Sequence, residues 1–491
     1  MTNFETLNGL MKYTFEWMIL VLIPFLCLNT SYAQEKGNSE NDNKNIRSAT
    51  DKPNFILIVA DDLGFGDLSI NGSTQIHTPN IDQLAFQGIR FSNGYVSSPV
   101  CSPSRAGLLT GRNQVEFGHD NNLAENQPGF DPEYLGLPLS EKTIAQRLKS
   151  LGYTTGLIGK WHLGNEPQFH PLERGFDKFW GYTGGGHDYF SSLPNVKGYE
   201  SLIECNYKTP TPITYITDDK GNECVEFVER NQNNPFFLFA SFNAPHTPMQ
   251  ATEEDLKLYK HIIDEKRRTY AAMVHRLDVN VGKIIAAVED QGLRENTLIV
   301  FISDNGGPTD SNASINAPFN GQKGILLEGG IHVPFVMSWP EILLEGSIYK
   351  HPVSSLDIAP TFLKLAGGNE EEDNFDGVNL IPFLTQETDS LPHHELKWRF
   401  TISAAIREGE WKLVRLPDRL PMLYNLSIDK SEENNVCLEH LEKTRNLLHK
   451  LGEWDVSLPH PLFLEGAVWK KRQLSLYDRA YQVEQPSVDS K

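Results

Sequence analysis

The sequence predicts an α/β fold, with a large, mostly parallel sheet sandwiched by helices and a smaller C-terminal α+β domain. Four short, continuous apolar runs, separated by stretches with helical spacing, are the first observation that predicts it. Polar residues directly after each run are the second, because ligands bind beyond the carboxyl ends of such strands. A change to alternating strands near residue 391 is the third.

The four apolar runs are typical of strands buried on both faces, and they cover residues 54–60, 155–158, 236–241 and 298–303. Between them, Ser140 is suited to cap a helix that ends at Gly152. Residues 270–291 have the spacing of a longer amphipathic helix that stops at Gly292. Strand and helix therefore alternate, as in an open sheet covered on both faces.

The C-terminal part has a different pattern. Residues 411–414 and 423–426 alternate like half-buried strands, and residues 438–451 have helical spacing. We therefore predict a catalytic domain over 53–390 and a C-terminal subdomain with a tail over 391–491.

The N-terminus has the layout of a secretory signal peptide. Lys12 precedes an apolar run over 17–28, and Ser31, Tyr32 and Ala33 place small residues at the outer positions of a cleavage site. The run is shorter than the roughly 20 residues of a membrane-spanning helix. We predict a signal peptide over 1–33, a linker over 34–52, no membrane anchor, and a secreted or periplasmic protein.

The composition excludes some classes of partner. The chain has 44 basic and 64 acidic residues, a net charge of −20, so it is a poor candidate for binding nucleic acid or an anionic membrane surface. Four cysteines remain after the signal peptide, without the spacing of a zinc site. Whether Cys205 and Cys224 form a disulfide stays open.

Polar residues at the ends of the four strands predict a site for an anion and a cation. Asp61 and Asp62 follow the first strand, and Asp304 and Asn305 follow the fourth. Such an all-oxygen set suits calcium or magnesium better than zinc. Donors and cations suited to an oxyanion and a leaving group are supplied by Lys160, His162, His246 and Lys323.

Cys101 opens the most informative segment, C-S-P-S-R-A-G-L-L-T-G-R over 101–112. Pro103 belongs to a helix start and Gly111 to a helix stop, so Cys101 is predicted at a helix N-terminus. The free N–H groups there favour an anion. Taken alone, this placement indicates a thiol nucleophile of low pKa, with a structural buried cysteine as the alternative.

This segment resembles the signature of the type I sulfatases of the alkaline phosphatase superfamily, through the pattern C-x-P-S-R-x-x-x-L-T-G-R. The segment G-Y-T-T-G-L-I-G-K-W-H over 152–162 resembles their second signature, and the likeness runs from about 53 to 367. The resemblance implies an alkaline phosphatase-like fold. It also implies that a formylglycine-generating enzyme, or an equivalent maturase, oxidises Cys101 to formylglycine (3-oxoalanine).

The resemblance also implies roles for the residues at the strand ends. One hydroxyl of the hydrated aldehyde would attack sulfur, and the second would later release sulfate. Ca²⁺ would be held by the modified Cys101 and the oxygen set, and Arg105, Lys160 and His162 would stand beside the diol. His246 and Lys323 would bind sulfate and protonate the leaving oxygen, and which of them is the acid stays open.

Substrate contacts are the least constrained part of the prediction. His119, Asn121, His187 and Asp188 are candidates, with surface loops as the alternative, and no serine near 184–188 matches the one that some family members place on sulfate. We predict a secreted sulfatase acting on a sulfated carbohydrate, for example an algal polysaccharide or its oligosaccharides. The alternatives are a phosphodiesterase or phosphonate hydrolase of the same superfamily, and an inactive sulfate-binding protein.

Overall fold

The computed structural model describes residues 52–124, 130–209, 211–340, 342–369, 374–464 and 466–481. The predicted signal peptide over 1–33, the linker apart from Lys52, and the end of the tail lie outside these ranges. No helix in the described ranges is long and apolar enough to cross a membrane.

The strands of the described residues are β1 Asn54–Ala60, β2 Ile89–Phe91, β3 Gly94–Tyr95, β4 Thr154–Lys160, β5 Lys178–Tyr182, β6 Glu204–Cys205, β7 Phe236–Ser241, β8 Thr297–Ser303, β9 Phe335–Ser338, β10 Ser347–Tyr349, β11 Val353–Ser354, β12 Glu395–Phe400, β13 Ser403–Glu408, β14 Trp411–Arg415 and β15 Met422–Asn425. The helices are α1 Pro79–Phe86, α2 Cys101–Thr110, α3 Ile144–Ser150, α4 Ile216–Arg230, α5 Glu253–Leu258, α6 Glu265–Asp290, α7 Thr309–Asn312, α8 Glu328–Ile331, α9 Ile358–Leu365, α10 Ile381–Leu384, α11 Leu441–Ser457 and α12 Ala467–Ala480.

Nine of the described strands form one large mixed sheet, in the order β10-β2-β9-β8-β1-β7-β4-β5-β6. Its centre, β8-β1-β7-β4-β5, is parallel throughout, whereas β9 and β6 run antiparallel to their neighbours. The predicted strands over 54–60, 155–158, 236–241 and 298–303 are the four central ones. The prediction of a large, mostly parallel sheet is therefore confirmed.

The sheet separates two apolar cores. Along β1, Phe55, Leu57 and Val59 face one core, whereas the residues between them face the other. Side chains of α2, α3 and α9 belong to the first core, and those of α1, α4 and α6 to the second. A strand buried on both faces needs apolar residues at every position, which explains the continuous runs.

Two helix starts differ from the sequence prediction. Helix α3 is capped by Thr143 rather than Ser140, because the Thr143 side chain accepts from the Gln146 N–H and the Gln146 side chain accepts from the Thr143 N–H. Helix α6 begins five residues before Tyr270, at Glu265, since the Asp264 side chain caps it there.

A small antiparallel sheet in the order β12-β13-β14-β15 follows, as predicted for the C-terminal part. Helix α11 covers one face of this sheet, where Leu447 and Leu451 pack with Ile406, Leu413 and Leu423. The boundary at residue 390 remains a prediction.

A buried ion network joins the C-terminal sheet to α8 of the large unit. Lys412 on β14 lies 2.8 Å from Glu328 and 2.9 Å from Glu432, and all three side chains are almost completely buried. Replacing Lys412 by Met leaves two buried carboxylates without their cation, so we expect a loss of about 3–5 kcal/mol in the free energy of unfolding. Urea denaturation followed by circular dichroism measures it.

The matched control is Lys443→Met, because Lys443 forms a partly exposed pair with Glu408 at 3.2 Å. This variant should lose less than about 1 kcal/mol. Equal losses for the two variants would contradict the role assigned to the buried network.

Candidate active site

The polar residues that follow the central strands meet at one edge of the large sheet. Asp61 and Asp62 follow β1, Asp304 and Asn305 follow β8, and Lys160 ends β4. These strands lie in the order β8-β1-β7-β4, so their carboxyl ends are neighbours. All five side chains are buried.

Asp61 is held between a lysine and the cysteine. Lys160 Nζ donates to Asp61 Oδ2 at 2.6 Å, and the Cys101 thiol donates to Asp61 Oδ1 at 3.3 Å. Burial raises the pKa of Asp61, but the charges of Lys160, His246 and Arg105 together hold it well below its ordinary value. Asp61 is therefore a carboxylate, available as a hydrogen-bond acceptor or a metal ligand.

Asp62 gathers a second group of donors. Its backbone is left-handed, with φ 68°, a conformation that Asp tolerates better than most residues. Lys323 Nζ donates to Asp62 Oδ1 at 2.6 Å, and Asn305 Nδ2 donates to the same oxygen at 2.7 Å. Burial lowers the pKa of Lys323, but neighbouring acidic groups, Asp62 foremost, hold it well above its ordinary value.

Arg105 ties the strand ends together beneath the cysteine. Its guanidinium is fully buried and donates to Asp304 Oδ2 at 2.9 Å, to the Lys160 carbonyl at 3.1 Å and to Ser241 Oγ at 2.6 Å. Arg105 thus contacts residues of β4 and β7 as well as the residue after β8. It is not among the residues that line the cavity described below.

Cys101 is the first residue of α2, and every residue of this helix is buried. Its sulfur lies 3.1 Å from Lys323 Nζ. Burial, followed by the charges of Asp304 and Asp61, raises the pKa of the Cys101 thiol far above its usual value. The low thiol pKa that a helix N-terminus indicates is therefore wrong here, because burial and the two carboxylates outweigh the helix.

The residues around Asp62 fit a divalent cation. One ligand atom from each of four side chains lies within 4.8 Å of all the others, in the set Asp61, Asp62, Cys101 and His246. Nearby, Asn305 Oδ1 is a buried acceptor without a hydrogen-bond partner among the described residues. Carboxylate and amide oxygens together suit a hard cation. Relative to the predicted set, His246 is an addition, and Asp304 lies outside this compact group.

The two histidines have different hydrogen-bond arrangements. His246 Nδ1 donates to the Thr247 carbonyl at 2.6 Å, which leaves Nε2 facing Asp62 Oδ2 at 3.5 Å. His162 Nε2 donates to the Leu123 carbonyl at 3.0 Å. Burial is the main cause that lowers the pKa of both imidazoles.

A cavity of about 310 Å³ opens onto these groups. Four of its walls are predicted site residues, namely Cys101, His162, His246 and Lys323. The other walls were not predicted, and they are Asn122, Leu123, Ala124, Gly185, Gly198, Tyr199 and Glu200. Most of these lie in loops without hydrophobic periodicity, so only the glycine-rich segment over 184–186 gave a signal in the sequence.

Three predicted substrate contacts lie outside the cavity walls. His119 is buried beneath α2, with its Nε2 2.8 Å from Ser102 Oγ. His187 is buried, and its Nδ1 donates to the Asp188 carbonyl at 2.9 Å. The Asp188 carboxylate caps its own turn and accepts from Gln250 Nε2 at 3.1 Å. Their observed contacts within the described ranges support the surrounding loops.

Asn121 also lies outside the walls, since it is buried and its Nδ2 donates to the Phe463 carbonyl at 2.9 Å. Cys205 and Cys224 are both free thiols. Lys178 Nζ lies 3.1 Å from the Cys205 sulfur.

Comparison with known proteins decides the family. The Sulfatase family model matches residues 53–368, and the model described as N-sulphoglucosamine sulphohydrolase, C-terminal, matches residues 321–454. The human N-acetylgalactosamine-6-sulfatase is 34% identical over 355 residues, which cover 69% of this chain and 67% of that protein. The chain belongs to the sulfatase family. The resemblance to type I sulfatases is thereby confirmed, and this sulfatase is a sulfuric ester hydrolase.

Solved structures agree with this assignment. The crystal structure of Ps i-CgsB in complex with k-i-k-neocarrahexaose is 37% identical to this sulfatase, with a TM-score of 0.79, and the match covers 88% of this chain and 100% of that one. The phosphonate monoester hydrolase of Agrobacterium radiobacter shares the fold, at 20% identity and a TM-score of 0.61, over 82% of this chain and 96% of that one. The fold alone therefore does not separate the two reactions.

Proposed function

We propose that this sulfatase is exported from the cytoplasm and removes sulfate from a sulfated carbohydrate, such as an algal polysaccharide or its oligosaccharides. The observation that carries the proposal is the position of Cys101 within its signature, on the cavity wall between Asp61 and Lys323. Two relatives support a carbohydrate, because one is named for a sulfated amino sugar and the other was crystallised with a neocarrahexaose.

We propose that residue 101 acts as formylglycine, which a maturase forms from Cys101. The hydrated aldehyde supplies one hydroxyl to attack sulfur and a second one to release sulfate. The raised pKa of the Cys101 thiol supports this proposal, because a thiol that stays protonated is a poor nucleophile. Asp61 is placed to accept a proton from the group at position 101, and Lys323 is placed to donate a hydrogen bond to it.

Ca²⁺ is the proposed metal, held by Asp61, Asp62, Asp304, Asn305 and the group at position 101. When bound, such an ion supplies positive charge against the oxygens of the reacting sulfate. Arg105 fixes Asp304 through a hydrogen bond at 2.9 Å, and its contacts with Lys160 and Ser241 hold the neighbouring strand ends.

His246 and Lys323 are the proposed partners of sulfate and of the leaving oxygen, because both line the cavity beside Cys101. Since His246 Nδ1 is committed to the Thr247 carbonyl, Nε2 is the atom available to a substrate. Lys160 and His162 complete the surroundings of position 101, Lys160 through its ion pair with Asp61.

The role of His246 is tested with two leaving groups. If Nε2 delivers a proton, His246→Ala should slow the hydrolysis of sugar sulfates by about 10²–10⁴-fold, the usual value of general acid catalysis. It should slow 4-nitrophenyl sulfate far less, because nitrophenolate leaves without a proton. The measurement is kcat/KM for both substrates.

His261→Ala serves as the control, since His261 is exposed and does not line the cavity. This variant should keep wild-type rates on both substrates. An equal loss on the two substrates in His246→Ala would contradict a proton transfer and indicate sulfate binding.

The proposed function itself is tested by measuring sulfate release from a panel of defined sulfated oligosaccharides. Release from one or more of them is the expected result. Hydrolysis of phosphodiesters or phosphonates without any sulfate release would overturn the proposal, and so would sulfate binding without turnover.

A further inference from the structure

The cavity wall next to the reacting groups is a short turn over residues 198–200. Gly198 has a left-handed backbone, with φ 89°, and the Tyr199 N–H donates to the Val196 carbonyl at 3.0 Å, which closes the turn. Gly198, Tyr199 and Glu200 all line the cavity. The turn therefore presents one aromatic and one acidic side chain to whatever occupies the cavity.

Tyr199 is held in place from two sides. Its ring centroid lies 6.0 Å from that of His246, at an interplanar angle of 59°. Its ring also packs against Gly186, where an added Cβ would lie only 2.5 Å from a ring atom. Only glycine at position 186 permits this close approach. A half-buried ring fixed beside a cavity is suited to the apolar face of a sugar.

The charges of the walls are divided between the two parts of the cavity. Lys323 is the one lysine or arginine among the described residues that line it, and its ammonium group is already placed at Asp62 and Cys101. Burial lowers the pKa of His162 and His246, which disfavours their cationic forms. On the turn, the ionisable wall residue is Glu200, an anion.

We propose that Tyr199 and Glu200 select a sugar residue that carries a single sulfate and presents hydroxyl groups, rather than a second sulfate or a carboxylate, to the turn. The Glu200 carboxylate accepts hydrogen bonds from hydroxyls and repels a second anionic group. The Tyr199 ring contacts the apolar face of the sugar. This inference rests on the proposed function and deepens it, since it names the charge pattern of the substrate at this site.

The test uses 4-nitrophenyl glycosides in pairs, a monosulfate and the disulfate that carries the same first sulfate. For the pairs that are hydrolysed, the wild-type kcat/KM should favour the monosulfate. Glu200→Gln should reduce this preference by about fivefold or more, the effect of one charge repulsion at contact distance in a wet cavity. Glu200→Lys should favour the disulfate, and added salt should weaken the wild-type preference.

Two further variants separate selection from a loss of folding. Glu229→Gln, at an exposed position of α4 outside the cavity, should keep the wild-type preference. Tyr199→Phe keeps the ring and should also keep the preference. Tyr199→Ala should lower kcat/KM for the sugar sulfates about tenfold while changing 4-nitrophenyl sulfate little, because that substrate has no sugar to contact the ring.

The outcomes distinguish this inference from the proposed function. Sulfate release with the same preference in the wild type, Glu200→Gln and Glu200→Lys would overturn the inference alone. No sulfate release from any substrate by the wild type would overturn the proposed function, and the inference with it.

Discussion

Replacing Cys101 by serine should abolish repeated turnover and leave, at most, one sulfate released from its substrate per enzyme molecule. The serine hydroxyl can attack sulfur, but it offers no second hydroxyl to release the sulfate. The variant should therefore accumulate as a stable sulfate ester. Rapid-quench stoichiometry and intact-protein mass measure this. Serine is smaller than formylglycine hydrate and keeps an oxygen next to Asp61, so the fold should be retained.

The control is Cys205→Ser, because Cys205 lies on β6 beside Lys178 and does not line the cavity. This variant should remain fully active. In the wild type, the peptide that contains position 101 should react with a hydrazine, as an aldehyde does. Active enzyme with an unmodified thiol at position 101 would contradict the mechanism and restore the thiol nucleophile.

Removing the metal should lower sulfate release by at least about 10³-fold, and Ca²⁺ should restore it. A loss of this size follows because Lewis-acid stabilisation is worth several kcal/mol of transition-state energy. Ca²⁺ should also raise the free energy of unfolding of the metal-free protein, by about 2.7 kcal/mol at a concentration of 100 Kd. This second readout, thermal or urea denaturation with and without Ca²⁺, is independent of catalysis.

Asp62→Asn is the variant that tests the site, since it keeps the shape of the side chain and removes a charge. It should require more Ca²⁺ for both readouts. Asp304→Ala is less suitable, because it also leaves Arg105 buried without its carboxylate. The matched control is Asp290→Asn, at the exposed end of α6. Full activity of wild type and Asp62→Asn in excess chelator would refute the metal assignment.

The sequence predicted the centre of the fold because its strands are buried on both faces. Such strands need apolar residues at every position, and parallel pairing then forces their carboxyl ends to one edge. The meeting of Asp61, Lys160 and Asp304 follows from these two facts alone. The same argument carries no information on the edge strands β6 and β10, which are short and only partly buried.

Features that depend on distant contacts could not be predicted. The helix N-terminus indicates an acidic thiol at Cys101, but burial and two carboxylates from other strands reverse the direction of the pKa shift. The turn that carries Tyr199 and Glu200 lies about forty residues beyond Lys160 in a stretch without periodicity, and its packing on Gly186 is a tertiary contact. His119 and His187 were favoured by residue type alone, whereas their hydrogen bonds place them in the supporting structure.

The burial of α2 sets the order of events in the life of this enzyme. Cys101 is only 1% exposed, and Arg105, which belongs to the same signature, is fully enclosed by side chains from other strands. A maturase that must grip this segment and oxidise the sulfur has no access to it once the sheet has closed. On the proposed mechanism, modification therefore competes with folding for each newly made chain. A molecule that folds first is permanently inactive, so the fraction of active enzyme is decided during biosynthesis rather than by any later supply of maturase.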